Sequence, residues 1–265
     1  RLLRILCRED TFGVPRLGEA EQVAGITPES LHAHYREILR SSPMELFYVG
    51  SAEAAFVAEL LMPLAHRLGA RGTRLQPQTP FHPCEKSDVV ETMDISQGKL
   101  CMGFVTPSIN RDKDFAAMQL LNVIYGSGMT SKLFMNVREK LSLCYSIGSG
   151  YYGTKGIVVV SAGIDFDKEQ LTRDEVMRQL KIAQEGGITE QELKAAKEAL
   201  LSSLRSTHDS PGAIEGYYST AALSGLIFSH NEYMEAVEAA TISDVVACAN
   251  SLELHTTYFL KGGDQ

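Results

Sequence analysis

Arg138 and Tyr145 are the two residues whose side chains and spacing could hold a peptide backbone. Apolar residues recur around Arg138 at the three- and four-residue steps of an amphipathic helix: Leu133, Phe134, Val137 and Leu141. This helix is predicted to begin near residue 130 and to end near residue 142, so that Tyr145 starts a strand. A guanidinium fork and a phenol that converge in this way can hold a peptide carbonyl or carboxylate. The same spacing also suits a solvated arginine and a half-buried tyrosine, so the residues alone leave both interpretations open.

The chain lacks the sequence patterns of a hydrolytic or cofactor site. Neither H-E-x-x-H nor H-x-x-E-H occurs, and the nearest approach is His34 with Glu37, where Ile38 stands in place of the second histidine. No G-x-S-x-G nucleophile pattern and no phosphate-binding glycine pattern occurs either. We therefore expect no catalytic residues, no metal ligands and no cofactor in this segment. Cys144 is expected to be a small core residue.

Composition excludes several classes of partner. Twenty-five Lys and Arg against 33 Asp and Glu give a net charge of −8, which provides no positive field for nucleic acid. No apolar run reaches the length of a membrane span, so no membrane partner is expected. The five cysteines are scattered and never spaced C-x-x-C. A reducing compartment, the cytoplasm, is the predicted location.

The order of predicted elements indicates an α+β protein built from two related modules. Strands are predicted at residues 44–50, 89–95, 99–106, 145–152, 156–164 and 256–260, and helices between most of them. Residues 89–95 and 99–106 are expected to form a hairpin, and the apolar strand IVVVSAGI is expected to be central in its sheet. Residues 26–50 and the closing segment share one order of helix, strand and glycine, which indicates a weak internal repeat.

The segment GSGMTSKLFMNVREKLSLCYS, followed by TKGIVVVSAGID and ITEQELKAAKEALLSSL, resembles the C-terminal repeat of the pitrilysin/insulinase-like zinc peptidases. The likeness is to the bacterial branch related to mitochondrial processing peptidase, and it covers residues 87–264. Residues 1–70, with FGVPRLG, GITPESL and MELFYVG, resemble the back half of the N-terminal repeat. The resemblance implies an antiparallel sheet with helices on one face in each repeat. It also implies three regions: a truncated N-terminal repeat (1–70), a linker (71–86) and a complete C-terminal repeat (87–265).

The resemblance also implies a function. In that family one half carries the inverted zinc motif, and the other contributes an arginine and a tyrosine that hold the substrate backbone. These correspond here to Arg138, expected to donate two hydrogen bonds, and Tyr145, expected to donate one. The family's zinc motif lies upstream of the region that this chain resembles. We therefore expect a non-catalytic, peptide-binding portion that works with a zinc-bearing homologous subunit, a second copy or an upstream half. A purely structural scaffold and a fragment of an active zinc endopeptidase remain open alternatives.

Overall fold

Five strands form one sheet whose spatial order differs from the chain order. The computed structural model describes residues 1–42, 46–67, 81 and 83–263. The strands are β1 (Ser87–Met93), β2 (Gly98–Val105), β3 (Cys144–Tyr152), β4 (Ile157–Ile164) and β5 (Glu253–Gly262), arranged β1-β5-β2-β4-β3. Three of the four strand pairs are antiparallel, and only β1 and β5 run parallel. The predicted α+β class is confirmed.

The predicted hairpin of β1 and β2 is wrong, because β5 lies between them. β5 pairs with β1 on one side and with β2 on the other. The turn chemistry at residues 96–98 favours a reversal of the chain, but it does not determine which strand fills the place beside β2. By contrast, β4 pairs with β2 and β3, and Ile157 and Ile164 at its ends are fully buried. The prediction of a central strand is confirmed in that β4 lies between two other strands, although β2 is the middle strand of the five.

The described residues also contain ten α-helices and four shorter or irregular helical turns. The α-helices are α1 (Leu2–Leu6), α2 (Ala20–Ala24), α3 (Pro28–Ser41), α4 (Ala54–Arg67), α5 (Phe115–Asn122), α6 (Glu169–Gln184), α7 (Glu190–Thr207), α8 (Pro211–Ser224), α9 (His230–Ala239) and α10 (Ile242–Ser251). Short 3-10 helices occur at Thr11–Gly13 and Phe166–Lys168, and π-helices at Val123–Ser127 and Phe134–Lys140.

Helical segments contact both faces of the sheet. The ring of Phe104 meets Tyr125 edge-on, at 6.5 Å between centroids, on the face that carries the helix layer. Neighbouring residues of a strand point to opposite faces. A Cβ on Gly103 would therefore point away from that layer, and it would lie 2.6 Å from Leu6 of α1. The predicted layer of helices on one face is thus accompanied by one short helix on the other.

The chain divides into two compact units that are not consecutive in sequence. One unit contains the sheet and combines residues 1–14 with the described parts of 79–204 and 227–265; the other combines those of 15–78 with 205–226. Residues 1–14 join the sheet unit because Leu6 and Cys7 pack against Phe81 and Ile157. The predicted region boundaries describe sequence repeats and stay a prediction. Within the predicted linker, residues 71–80 and 82 lie outside the described residues.

In the second unit, α3 begins where its sequence signal predicts. The strand predicted at residues 44–50 is not seen in the described part of that range, residues 46–50. Thr27 caps α3 by accepting from the Ser30 N–H, and Pro28 occupies the first turn, as predicted. Residues 46–50 form no strand, and residues 43–45 lie outside the described residues. A strand requires a paired neighbour, and no described segment pairs with residues 46–50.

Candidate functional site

The π-helix Phe134–Lys140, hereafter the site helix, ends in a tight turn that leads into β3. Val137 is fully buried and anchors this helix. At its end, the N–H groups of Ser142 and Leu143 donate to the carbonyls of Arg138 and Val137, at 3.1 and 3.0 Å. Ser142 adopts φ 49°, the left-handed region that residues other than glycine rarely occupy. The predicted helix is confirmed, but its π geometry and the left-handed turn were not predicted.

This turn opens onto a pocket that contains both predicted site residues. The pocket has a volume of about 390 Å³ and is lined by residues 138, 139 and 142–145 together with Asp165 and Lys168. Arg138 reaches it from the last turn of the site helix, and Tyr145 reaches it from the start of β3. The two side chains therefore share one open concave surface.

Arg138 is held on one side and open on the other. Its guanidinium carbon lies 4.6 Å from the centre of the Phe134 ring, a cation–π contact within one turn of the site helix. One guanidinium nitrogen lies 3.5 Å from a carboxylate oxygen of Glu139, and 40% of the Arg138 side chain is exposed. The Phe134 ring thus restricts the arginine while leaving it accessible from the pocket.

Tyr145 makes a hydrogen bond that the sequence did not predict. Its hydroxyl donates to Asp165 Oδ1 at 2.6 Å, although 60% of the residue is exposed. Lys168 Nζ lies 2.9 Å from Asp165 Oδ2 and donates to the Ser142 carbonyl at 3.3 Å. The hydroxyl expected to donate to a peptide thus donates to a carboxylate of the same chain. The residues missed were Asp165 and Lys168, whose only sequence signal is an Asp-x-x-Lys spacing directly after β4.

Hydrogen bonds among Tyr145, Asp165 and Lys168 shift the pKa of each of these three groups. The hydrogen bond to Asp165 raises the pKa of Tyr145, because the carboxylate stabilises the protonated phenol. Hydrogen bonds from Tyr145 and Lys168 lower the pKa of Asp165. The hydrogen bond to Asp165 in turn raises the pKa of Lys168. At neutral pH the cluster is therefore a neutral phenol, a carboxylate and an ammonium.

The turn that carries Asp165 is fixed by an aromatic side chain. Phe166 begins the 3-10 helix after β4, and its ring lies over the ends of β2 and β5. A Cβ added to Gly98 or Gly262 would lie 3.2 or 2.8 Å from this ring. The absence of side chains at these two glycines therefore allows Phe166 to sit close to the sheet.

Cys144 lies in the pocket wall but is not an activated nucleophile. Burial raises the pKa of its thiol to about 11, against the opposing charges of Arg138 and Lys168. A thiolate is the reactive form, and this thiol stays protonated at neutral pH. The sequence predicted a small core residue, but Cys144 is only partly buried because its strand begins at the wall of the pocket.

The structure offers no metal-binding cluster within residues 1–42, 46–67, 81 and 83–263: no group of three or more His, Cys, Asp or Glu side chains is placed to hold an ion. His34 on α3 lies 3.7 Å from Glu37 and is exposed to solvent. None of the described helices is both long and apolar enough to cross a membrane.

Comparison with known proteins shows which family the chain resembles over most of its length. The probable inactive metalloprotease YmfF of Bacillus subtilis is 26% identical over 262 residues, which covers 99% of this chain and 62% of that protein. An uncharacterized zinc protease of Rickettsia felis is 31% identical over 163 residues, 60% of this chain and 39% of that protein. The chain thus spans less than two thirds of the length of these relatives.

Solved structures agree with this likeness. A conserved protein from Enterococcus faecalis V583 superposes with a TM-score of 0.85 and 26% identity, over 100% of this chain and 63% of that one. A peptidase M16 inactive domain from Pseudomonas fluorescens superposes with a TM-score of 0.77 at 19% identity, over 99% of this chain and 64% of that one, which shows a shared fold. Residues 25–200 match the family described as Peptidase M16 inactive domain. The chain belongs to the M16 peptidase family and carries its inactive domain.

Proposed function

We propose that this chain holds the backbone of an extended peptide in the pocket of Arg138 and Tyr145, for cleavage by a zinc-bearing half. That half is a homologous subunit in a heterodimer related to mitochondrial processing peptidase, a second copy, or an upstream part of the same protein. The chain itself contributes binding and orientation, because it contains no inverted zinc motif. The cytoplasmic location remains a prediction based on the scattered cysteines.

One observation carries the proposal: a guanidinium and a phenol reach the same open pocket from a helix end and a strand start. A guanidinium can donate two parallel hydrogen bonds to a carbonyl or carboxylate. Arg138 is restrained by the Phe134 ring, so less side-chain freedom is lost when a peptide binds. The Phe134 ring thus holds one face of the Arg138 guanidinium, and the pocket leaves the rest of the guanidinium accessible to a peptide.

A purely structural scaffold is the second candidate, and it also has an observation in its favour. Arg138 has an acidic neighbour in Glu139, and Tyr145 has one in Asp165. A surface residue that is satisfied within its own chain needs no peptide partner. The two candidates therefore differ in whether a peptide competes for these side chains.

Peptide binding to the purified chain and its Arg138→Ala variant tests the proposal. The probe is a fluorescein-labelled ten-residue peptide of alanine and serine with a lysine at each end, followed by fluorescence anisotropy. Arg138→Ala removes both expected hydrogen bonds, and since one charge-assisted hydrogen bond alone contributes about 1.5 kcal/mol or more, binding is expected to weaken at least about tenfold. Lys140→Ala is the matched control, because it removes a positive charge from the same helix outside the pocket.

Equal affinities of the wild type, Arg138→Ala and Lys140→Ala would exclude the clamp and favour the scaffold. A tenfold loss confined to Arg138→Ala would support the clamp. The circular dichroism spectrum and melting temperature of Arg138→Ala are expected to match those of the wild type. A change in either would show that the arginine also supports the fold.

A further inference from the structure

The Tyr145 hydroxyl donates its proton within the chain, to Asp165, and keeps only its acceptor capacity for a ligand. A tyrosine hydroxyl has one proton to donate and oxygen lone pairs with which to accept. The proton of Tyr145 points to Asp165 Oδ1, over a distance of 2.6 Å. An ionised carboxylate can only accept, so the direction of this hydrogen bond is fixed. The capacity left for a ligand is that of an acceptor.

Asp165 is itself held from two directions. Lys168 Nζ lies 2.9 Å from its second oxygen and ties the carboxylate to the Ser142 carbonyl at the end of the site helix. The adjacent Phe166 ring lies against Gly98 and Gly262, at the ends of β2 and β5. The carboxylate is therefore placed before any peptide arrives, which is the condition for orienting a neighbouring group without further ordering cost.

We propose that Asp165 is the positioning residue of the peptide clamp: it accepts the hydrogen bond that the Tyr145 hydroxyl donates, so that the Tyr145 oxygen is left to accept a backbone N–H of the bound peptide. This inference rests on the proposed function and replaces the expectation that Tyr145 donates to the peptide. Arg138 would then engage a peptide carbonyl and Tyr145 an adjacent amide N–H, which together read the two polar groups of an extended backbone. Lys168 keeps Asp165 in place through the contact between its ammonium and Asp165 Oδ2.

The arrangement sets a specificity. Every residue type except proline carries a backbone N–H. A proline opposite Tyr145 would therefore offer no N–H to the phenol oxygen. The carbonyl bound by Arg138 is present in every residue, so no such restriction applies there. The site is thus expected to accept varied side chains and to bind peptides with proline at one backbone position more weakly.

The first experiment tests the contact between Asp165 and Tyr145 without any peptide. Tyrosines are labelled with ¹³C at Cζ, and the Tyr145 resonance is assigned with a Tyr145→Phe variant. An ordinary tyrosine is about half ionised at pH 10. Wild-type Tyr145 is expected to be less than half ionised at that pH, and Asp165→Asn is expected to return it close to half.

The matched control is Asp167→Asn, which removes an equal charge two residues away that has the weakest influence on Tyr145. In Asp167→Asn, Tyr145 is expected to remain less than half ionised at pH 10, as in the wild type. If Asp165→Asn leaves the Tyr145 resonance unchanged, or if Asp167→Asn has an equal effect, Asp165 does not position the phenol and the inference is overturned.

The second experiment tests the acceptor role with the ten-residue alanine–serine probe, in which one amide N–H at a time is replaced by an ester oxygen. One ester position is expected to weaken wild-type binding about three- to tenfold, the effect of one lost hydrogen bond. In Tyr145→Phe the same ester is expected to cause no further loss. Asp165→Ala keeps the phenol but removes the acceptor of its hydrogen bond. This variant is also expected to bind the amide and ester forms of the probe equally.

The outcomes separate this inference from the proposed function. If an ester weakens binding equally in the wild type and Tyr145→Phe, Tyr145 does not accept an N–H and the inference fails while the clamp survives. If the wild type binds none of the probe peptides, both the proposed function and the acceptor role of Tyr145 are excluded. The ¹³C measurement still decides in that case whether Asp165 positions Tyr145.

Discussion

Lys132→Met is expected to destabilise the sheet unit by about 3 kcal/mol, because it breaks a buried contact that anchors the start of the site helix. The Lys132 side chain is only 8% exposed, and its ammonium donates to the Gly187 carbonyl at 2.6 Å and to Glu192 Oε1 at 2.7 Å. Methionine keeps most of the side-chain volume, so the change isolates the charge. It removes the Lys132 donor from the Gly187 carbonyl and the positive charge from beside the Glu192 carboxylate.

The magnitude follows from how far each partner is removed from water. Removing one member of a fully buried ion pair costs about 3–5 kcal/mol. The Glu192 side chain is 29% exposed and also accepts from the Thr189 N–H and hydroxyl at the start of α7, which places the cost at the lower end of that range. A loss of about 3 kcal/mol lowers the melting temperature of a domain of this size by about 6–12 °C.

Thermal and urea unfolding followed by circular dichroism at 222 nm measure this loss. Lys194→Ala is the control, since Lys194 is 78% exposed and lies 3.9 Å from Glu198; its effect is expected to stay within about 0.5 kcal/mol. The double variant Lys132→Met with Glu192→Gln is expected to regain part of the loss, because it removes the unpaired charge. A Lys132→Met variant as stable as Lys194→Ala would refute the reasoning.

The same contact predicts a pH dependence. Partial burial opposes ionisation of Glu192, but the hydrogen bonds from Lys132 and Thr189 outweigh it and lower the pKa of Glu192. A group whose pKa is lower in the folded state stabilises the protein above its unfolded pKa, and this contribution is lost as the pH falls through the folded value. The stability difference between the wild type and Lys132→Met is therefore expected in full at pH 7 and should narrow below about pH 4.

Two further changes test how the sheet unit is held together. Lys155→Met is expected to cost about 3 kcal/mol, since Lys155 is 4% exposed and lies 2.7 Å from Asp10. It is also expected to expose residues 1–14 to trypsin, and unchanged cleavage rates by mass spectrometry would contradict this. Gly262→Ala is expected to cost about 1–3 kcal/mol in urea unfolding, because its Cβ would lie 2.8 Å from the Phe166 ring. Gly150→Ala is the control: with no described heavy atom within 4 Å of its added Cβ, it should be nearly neutral, and equal losses would rule out the close contact.

Local signals in the sequence were sufficient to predict the elements that carry the site. The apolar stripe before Arg138 predicted the helix, and the glycine-flanked strand IVVVSAGI predicted an interior strand. The N-cap of α3 at Thr27 also formed. These predictions succeeded because each depends on residues within one or two turns of one another. The convergence of Arg138 and Tyr145 followed from the same short segment.

The features that were missed depend on residues distant in sequence. The insertion of β5 beside β2 joins residues 253–262 to residues 99–105, and no local pattern specifies that pairing. Asp165 lies 20 residues from Tyr145, so their contact depends on the register of β3 and β4. The left-handed Ser142 is set by the close approach of helix and strand, because serine itself does not favour that conformation.

The position of β5 has a consequence for how the protein is synthesised. Ribosomes release β1 and β2 roughly 150 residues before the strand that must separate them, and the two are joined by a short connection. During that interval the exposed edges of both strands are free to pair with each other in the arrangement that the finished sheet excludes. Assembly of the sheet must therefore wait for the last strand or undo a premature hairpin, and such distant pairings make a slow folding step.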